Sequence, residues 1–373
     1  MDIKNIDKNF DTTFTPPEDI EWLSVLQVPF SLHGVFYAEE EGVYRRMPKA
    51  VADSVSEGVA FLSKHTAGGR IRFSTNSPYL AVRVEEPFED PFPHMTIVGK
   101  CGVSMFVDGE FVGTVMPWYR QIIDADPSCG GSGTIVFDGI KYPYGVTETP
   151  YEAQIFMPLY SGVKAVYIGV KKGSVLQEPK GYTYSKPVLF YGSSITQGGC
   201  ASKAGDDYVA RLCRTLDTEI INLGFSGNAK GEREMAEYLA DLHPSVFVMD
   251  YDHNAPTVEH LANTHFALYE TFRKKNPTTP IIMMTMPKVE EYDDRPVNKA
   301  RKEEILKTFA RAKDLGDENV YYIDCYGCFG EKVDGECGTV DETHPDSLGF
   351  LRMAERVYPV LKKLLNENLK NDE

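Results

Sequence analysis

The sequence predicts two domains, an all-β sandwich or jelly roll followed by an α/β domain with a parallel sheet. Three observations support this prediction. The chain has 373 residues, about twice the usual size of a single domain. Short strand-like runs with close turn signals fill residues 20–180, and after residue 185 apolar strands alternate with helical stretches. We place the domains at residues 1–180 and 186–370, and interpret the polar stretch 172–187 as their linker.

Alternating apolar and polar residues define the strands of the first domain. The stretch RIRFSTNSPYLAVRVEE shows this alternation on both sides of an Asn-Ser-Pro turn. In VSMFVDGEFVGTVM, two such runs flank Asp-Gly, which is a strong hairpin signal. YEAQIFMPLYSGVKAVYIGVKKG supplies two further strands. Several short strands with close turns predict a sandwich.

Five apolar runs predict the strands of the second domain: PVLFYG, EIINLG, SVFVMDY, PIIMMTM and VYYIDC. Helical spacing separates them, as in Tyr208, Leu212 and Leu216, and a broad apolar stripe runs through the tail from Ser347 to Leu369. This alternation predicts a parallel sheet with helices on both faces, and such sheets carry their sites at the carboxyl ends of strands.

Composition favours a soluble globular protein and argues against several kinds of partner. A formal charge of −16 and a pI near 5.0 argue against nucleic acid or an anionic membrane as the main partner. The one CxxC spacing, Cys325 and Cys328, has no second pair, so we expect no metal site there. The start of the sequence lacks the apolar core of a signal peptide, and no run is long enough to span a membrane. We therefore expect a cytoplasmic protein.

Four stretches at predicted strand ends carry chemically useful side chains. Ser194 lies in GSSITQG after the first strand, Gly227 in NLGFSGNAKGE after the second, and Asn254 in DYDHNAP after the third. Asp341 and His344, three residues apart in DETHPDS, precede the last helix. This set fits acyl transfer, with Ser194 as nucleophile, His344 as its base and Asp341 orienting the ring. The backbone N–H groups of Ser194 and Gly227 and the Asn254 amide would hold the oxyanion.

Each of these residues also has an ordinary structural interpretation. Ser194 could cap a helix, Gly227 and Asn254 could belong to turns, and His344 could lie on the surface at the start of a helix. The occurrence of the whole set, in order, at successive strand ends favours the catalytic interpretation.

The same four stretches resemble the sequence blocks of the SGNH hydrolases, also called GDSL-type esterases and lipases. The blocks are GSSITQG, GFSGNAKGE, DYDHNAP and DETHPDSLGF, within residues 185–365. In the first half, AGGRIRFSTNSPYLAVRVE and PHMTIVGKCGVSMFVDG are similar to the β-rich GxDLY domain that precedes the catalytic domain in one branch of this family. No chemical role follows from the sequence for His94 in the second of these stretches.

The resemblance implies a flavodoxin-like three-layer α/β/α domain with five parallel strands and no metal or organic cofactor. It implies the triad Ser194, Asp341 and His344, with Ser194, Gly227 and Asn254 around the oxyanion. The sequence departs from the family at Ser193, where the family motif has Asp, in DHNA for Gly-x-Asn-Asp and in GVSMF for Gly-x-Asp-Leu-Tyr. We expect these departures to affect substrate class rather than hydrolysis.

Similarity to two-domain esterases implies an acetylated oligosaccharide as substrate and partner, attacked through an acyl-enzyme. Trp118 and Tyr119 could form a platform for the sugar or pack within the sandwich, and His253 could contact substrate or support its loop. The alternatives are a general short-chain or lipolytic esterase and a carbohydrate-binding protein with a degenerate hydrolase domain. A homo-oligomer is possible, and no nucleic acid or membrane partner is expected.

Overall fold

The computed structural model describes residues 5–7, 14–89, 92–143, 148–287, 296–325, 327–329 and 338–372. The strands are β1 Ile20–Ser24, β2 Ser31–His33, β3 Phe36–Ala38, β4 Val43–Arg45, β5 Arg70–Thr75, β6 Leu80–Pro87, β7 Val103–Val107, β8 Glu110–Val115, β9 Thr134–Lys141, β10 Tyr151–Phe156, β11 Ala165–Lys171, β12 Leu176–Gln177, β13 Tyr184–Gly192, β14 Thr218–Gly224, β15 Val246–Asp250, β16 Ile281–Met284 and β17 Val320–Ile323. The helices are α1 Lys49–Val55, α2 Glu57–Leu62, α3 Ile97–Cys101, α4 Tyr119–Ala125, α5 Ser194–Gln197, α6 Tyr208–Leu216, α7 Arg233–Asp241, α8 Val258–Lys275, α9 Pro296–Asp314 and α10 Ser347–Asp372.

Two larger antiparallel sheets and the two-stranded pair β3-β4 are described in the first half of the chain, as the alternating pattern predicts. One has the strand order β1-β11-β6-β9, and the other has the order β12-β5-β10-β7-β8 with β2 also paired to β5. Their inner faces share one apolar core, in which Phe73 of the second sheet packs with Val82 and Ile168 of the first. The predicted hairpin is confirmed: β7 and β8 join through Asp108 and Gly109, whose φ angles of 48° and 86° suit a tight hairpin turn.

Among the described residues of the first half are four short α-helices that the sequence pattern does not predict. Segments of five to seven residues are too short to show a helical period, and local capping defines them instead. The Ser56 hydroxyl, for example, accepts a hydrogen bond from the Val59 N–H at the start of α2. Ala52 of α1 and Leu62 of α2 lie in the same buried cluster as Leu239 of α7, so α1 and α2 pack against the second half.

The stretch 172–187 is more ordered than a linker prediction implies. Within it, β12 pairs with β5 of the first half, and β13 begins at Tyr184, three residues before the predicted strand. The chain thus leaves one sheet and enters the next within seven residues, Gln177 to Tyr184, which keeps the two halves adjacent.

The second half is the expected three-layer α/β/α structure. All five strands are parallel, in the order β14-β13-β15-β16-β17, which is the flavodoxin-like order 2-1-3-4-5. Alternate residues of β13 point to opposite faces: Phe190 lies in the cluster with α6 and α10, and Leu189 lies in the cluster with α7, α8 and α9. In such a sheet the strand order reverses between β13 and β15, and ligands bind at that point. Within the described ranges, no helix has both the length and the apolar character needed to cross a bilayer.

Candidate active site

The turn after β13 presents Ser194 at the first position of a four-residue helix. Ser193 is the cap of this helix: its backbone is extended, and its Oγ accepts a hydrogen bond from the Ile195 N–H at 3.1 Å. The interpretation of Ser194 as the cap is therefore wrong, because its neighbour has that role. Ser193 supports the turn at the position where the family motif has Asp, and serine and aspartate cap helices about equally well.

The Ser194 hydroxyl heads a chain of hydrogen bonds that reaches Asp341. Its Oγ lies 2.9 Å from Nε2 of His344, and Nδ1 of the same ring lies 2.7 Å from Oδ2 of Asp341. A carboxylate on Nδ1 fixes that nitrogen as the N–H donor, so Nε2 is free to accept the serine proton. These contacts join residues 150 positions apart in the sequence.

Asp341 is ionised and held in place by the backbone of its own loop. Its Oδ1 accepts hydrogen bonds from the N–H groups of Thr343 and His344, at 3.2 and 2.7 Å. Burial raises the pKa of Asp341, but the hydrogen bonds from the backbone and ring of His344 outweigh burial and hold the pKa below its usual value. The loop then enters α10, which Asp346 caps by accepting from the Leu348 N–H.

Gly227 lies in the loop that follows β14, at a position whose backbone conformation favours glycine. Its φ of 66° lies in the left-handed region, which favours glycine. A Cβ built at this position would have no atom within 4 Å, so the space beside the Gly227 backbone is open. The neighbouring Ser226 N–H donates to Oε1 of Gln197 at 3.0 Å, which ties this loop to the helix that carries Ser194.

Asn254 is the last residue of a single 3₁₀ turn, Asp252–Asn254, that follows β15. Its Nδ2 donates to the carbonyl of Phe225 at 2.8 Å. The amide group therefore connects the third strand-end loop to the second, and its second N–H remains for another acceptor. The three strand-end loops are joined to each other by hydrogen bonds, while the role of their donors toward an oxyanion stays a prediction.

Arg46, from the first half of the chain, supports the Gly227 loop, and nothing in the sequence pattern indicates this. Its guanidinium donates to the carbonyls of Asn222 at 3.0 Å and Gly224 at 2.6 Å, at the end of β14. Further bonds reach the carbonyls of Leu62 and His65, and the group lies 4.7 Å from the centre of the Phe225 ring. Burial lowers the pKa of Arg46 to about 9, which leaves the group charged at neutral pH.

The helix that carries Ser194 also contacts three residues of the first half, namely His65, Leu159 and Tyr160. The Gln197 amide nitrogen lies 3.2 Å from Nδ1 of His65 and donates to the carbonyl of Leu159 at 3.2 Å. The Tyr160 hydroxyl donates to the carbonyl of Ser194 at 3.0 Å. The first half is therefore part of the framework that positions Ser194.

A buried carboxyl group lies behind the same helix. Oδ2 of Asp250 accepts from the hydroxyls of Thr196 at 2.8 Å and Tyr208 at 2.7 Å. Burial raises the pKa of Asp250 to about 7, since these hydrogen bonds do not fully replace its hydration. Thr196 belongs to the Ser194 helix, so this network fixes the helix to β15.

His94 and Cys200 lie beside the hydrogen-bonded chain from Ser194 to Asp341. The His94 ring is centred 5.2 Å from the His344 ring at a tilt of 41°, and the Cys200 thiol donates to the His94 carbonyl at 3.5 Å. His94 comes from the first half and is partly exposed. Only the tertiary structure brings it next to His344.

The predicted substrate-contact residues lie in two places. His253 is half-buried beside Asn254, in the same 3₁₀ turn. Trp118 is half-buried and lines a groove of about 630 Å³ with Asp138 and Lys141, whereas Tyr119 is 70% exposed. This groove is not lined by Ser194, Asp341 or His344. Substrate contact by His253, Trp118 and Tyr119 stays a prediction.

Solved structures similar to this chain cover nearly its whole length. A protein described as a GDSL-like lipase, from Bacteroides ovatus, is 28% identical, with a TM-score of 0.80 over 93% of this chain and 98% of the other. The salicylyl-acyltransferase SsfX3 from a tetracycline biosynthetic pathway is 22% identical, with a TM-score of 0.71 over 94% and 98% of the two chains. A family two carbohydrate esterase from Clostridium thermocellum is 14% identical, with a TM-score of 0.61 over 90% and 98%. The last two show a shared fold.

Family comparisons match both halves of the sequence. A comparison with individual curated proteins, in contrast, found no match. Residues 20–176 match the GxDLY family, described as the N-terminus of SGNH-hydrolase-type esterases. Residues 185–362 match the GDSL-like lipase/acylhydrolase family, and they contain the whole hydrogen-bonded chain from Ser194 to Asp341. The chain therefore combines a GxDLY domain, over residues 20–176, with a domain of the GDSL-like lipase/acylhydrolase family, over residues 185–362.

Proposed function

We propose that this protein is a serine esterase that removes O-acetyl groups from acetylated oligosaccharides through an acyl-enzyme on Ser194. The observation that carries the catalytic part is the hydrogen-bonded chain from Ser194 Oγ through His344 to Asp341, with distances of 2.9 and 2.7 Å. It supplies a hydroxyl, a base that can take its proton, and a carboxylate that stabilises the resulting imidazolium.

The reaction proceeds in two halves. Ser194 Oγ attacks the ester carbonyl as His344 Nε2 takes its proton, and the resulting oxyanion accepts hydrogen bonds from Ser194 N–H, Gly227 N–H and the Asn254 amide. His344 then protonates the departing sugar oxygen, which leaves an acetyl group on Ser194. In the second half, water attacks the acetyl-enzyme, His344 takes the proton of water, and acetate leaves as Ser194 recovers its proton.

The carbohydrate part of the proposal is supported by architecture. The family two carbohydrate esterase from Clostridium thermocellum shares the fold over 90% of this chain, including the first half. A small acyl group needs only a small pocket beside Ser194, and the alcohol part of the substrate would extend over the surrounding surface.

Acetate release from acetylated mannan and xylan oligosaccharides tests the substrate class. We expect release that depends on Ser194, with faster turnover of at least one glycan than of 4-nitrophenyl acetate. A matched series of 4-nitrophenyl esters, from acetate to octanoate, should show activity falling with acyl length. Turnover that rises with acyl length, without acetate release from any glycan, would instead identify a lipolytic esterase.

A further inference from the structure

Four side chains at the mouth of the proposed active site bring potential metal ligands together. His94, Cys200, Asp341 and His344 each offer one ligand atom, and these four atoms lie within 4.8 Å of one another. The atoms are a cysteine sulfur, two imidazole nitrogens and a carboxylate oxygen. This combination of ligands suits Zn²⁺, which binds sulfur, nitrogen and oxygen in tetrahedral sites.

The ligands come from three separate parts of the chain. His94 belongs to the first half, Cys200 follows α5, and the other two belong to the loop before α10. Cys200 has a φ of 68°, in the left-handed region that residues with a side chain rarely adopt, and its thiol donates to the His94 carbonyl at 3.5 Å. The fold therefore holds the thiol beside His94 at a backbone conformation that carries a cost.

Small movements would complete the coordination. Bonds of about 2.0–2.3 Å to a tetrahedral zinc ion place neighbouring ligand atoms about 3.5 Å apart. The farthest of these atoms, up to 4.8 Å apart, must therefore approach one another by about 1 Å. The side chains of His94, Asp341 and His344 are all partly exposed, so rotation about side-chain bonds can provide this movement.

We propose that His94, Cys200, Asp341 and His344 form a site for a thiophilic divalent cation of the Zn²⁺ type, and that its occupation inhibits the enzyme. The inhibition, though not the binding, rests on the proposed esterase function. Zinc takes the lone pair of a His344 nitrogen and draws Asp341 to itself, so His344 can no longer accept the Ser194 proton while Asp341 orients it. The Cys200 thiol releases its proton to solvent as the Zn–S bond forms, and no atom changes oxidation state.

This site differs from a cofactor site, because turnover requires it to be empty. Cys200 and His94 have no part in the proposed esterase reaction. Their replacement should therefore leave hydrolysis without metal close to that of the parent protein, and should remove only the response to zinc.

The first test is zinc inhibition of 4-nitrophenyl acetate hydrolysis in the full-length protein, reversed by EDTA. We expect Cys200→Ser and His94→Gln each to raise the half-inhibitory zinc concentration by about tenfold or more, since each removes a ligand. Matched controls are Cys129→Ser and His243→Gln, which change an exposed cysteine and an exposed histidine outside the cluster. Equal inhibition of all four variants would overturn the proposal and assign the effect to His344 alone.

The second test measures binding without activity. Calorimetric titration of Ser194→Ala with zinc chloride should show one site per chain, and the affinity should fall by about tenfold or more in Ser194→Ala/Cys200→Ser. Unchanged affinity in the double variant would overturn the site. If the parent protein hydrolyses no ester but zinc binding still depends on Cys200 and His94, the esterase function fails and the metal site stands.

Discussion

At the scale of single residues, Asn254 and Asn228 make similar hydrogen bonds, but only Asn254 has a proposed role in the reaction. The Asn254 amide donates to the Phe225 carbonyl at 2.8 Å, and the Asn228 amide donates to the Ser226 carbonyl at 2.7 Å. Both bonds hold the Gly227 loop. Only Asn254 follows β15 at the carboxyl edge of the sheet, where the proposal assigns it a second role as oxyanion donor.

Asn254→Ala is expected to lower kcat by about a hundredfold and to change KM little, because an oxyanion donor acts in the transition state. Steady-state kinetics on 4-nitrophenyl acetate measure this split. Asn228→Ala is the matched control and should lose much less activity. Equal losses in the two variants would show that Asn254 only holds the loop.

Ser193→Ala is expected to reduce the free energy of unfolding by about 1 kcal/mol, because it removes the cap of the Ser194 helix. Ser193→Asp, which introduces the residue of the family motif, should retain most of the stability. Urea unfolding of the three proteins measures the difference. A Ser193→Ala protein as stable as the parent would mean that the cap contributes nothing.

At the level of elements, both halves of the chain contribute to the candidate site. Arg45 and Arg46 are adjacent, both buried, and directed at different partners. Arg45 pairs with Glu41 and Ser63 within the first half, at distances from 2.5 to 2.8 Å. Arg46 instead holds the end of β14, directly before the Gly227 loop.

Arg46→Lys is expected to lower kcat by about tenfold to a hundredfold, since an ammonium group cannot reach the same carbonyls and the loop shifts. Arg45→Lys, the matched control, should lose stability and keep kcat. Hydrogen exchange of residues 222–229 should rise in Arg46→Lys and not in Arg45→Lys. Equal kcat in both variants would contradict a positioning role for Arg46.

The sequence predicts elements best where a pattern is local. The β7–β8 hairpin follows from Asp-Gly, and the parallel sheet follows from five apolar runs separated by helical spacing. Short helices such as α2 are not predicted, because six residues are too few to show a helical period. The role of Arg46 is not predicted for a different reason. Its carbonyl acceptors at Asn222 and Gly224 lie more than 170 positions away, and no local pattern encodes such a contact.

The residues of the candidate site also differ in whether the sequence alone identifies them. Ser194 and His344 can be found because both follow recognisable elements and belong to known sequence blocks, and the structure joins them at 2.9 Å. His94 could be noticed in a similar stretch but given no role, because its position beside His344 depends on how the halves pack. The same packing creates the cluster with Cys200.

For the whole molecule, buried acids couple stability to pH. The pKa of Asp250 is about 7 in the folded protein because of burial, against 3.8 for an ordinary aspartate. The folded protein therefore binds a proton more tightly than the unfolded chain between these values. The stability that this proton contributes is complete below about pH 4 and is lost as pH rises through about 7.

Asp250→Asn, which cannot titrate, is expected to show a smaller loss of stability than the parent protein between about pH 5 and about pH 8. Urea unfolding at both pH values gives the two free energies for each protein. The control is Asp241→Asn, which changes an exposed aspartate and should behave as the parent does. A difference between parent and Asp250→Asn that stays the same at both pH values would contradict the raised pKa.

The central claim is that Ser194 is the nucleophile of an esterase, and one comparison tests it most directly. The hydrolysis rate of 4-nitrophenyl acetate should be measured for the parent protein and for Ser194→Ala, with circular dichroism showing that both are folded. We predict turnover by the parent and a rate for Ser194→Ala that cannot be distinguished from buffer. Substantial turnover by folded Ser194→Ala would contradict the assignment of Ser194, and with it the acyl-enzyme mechanism.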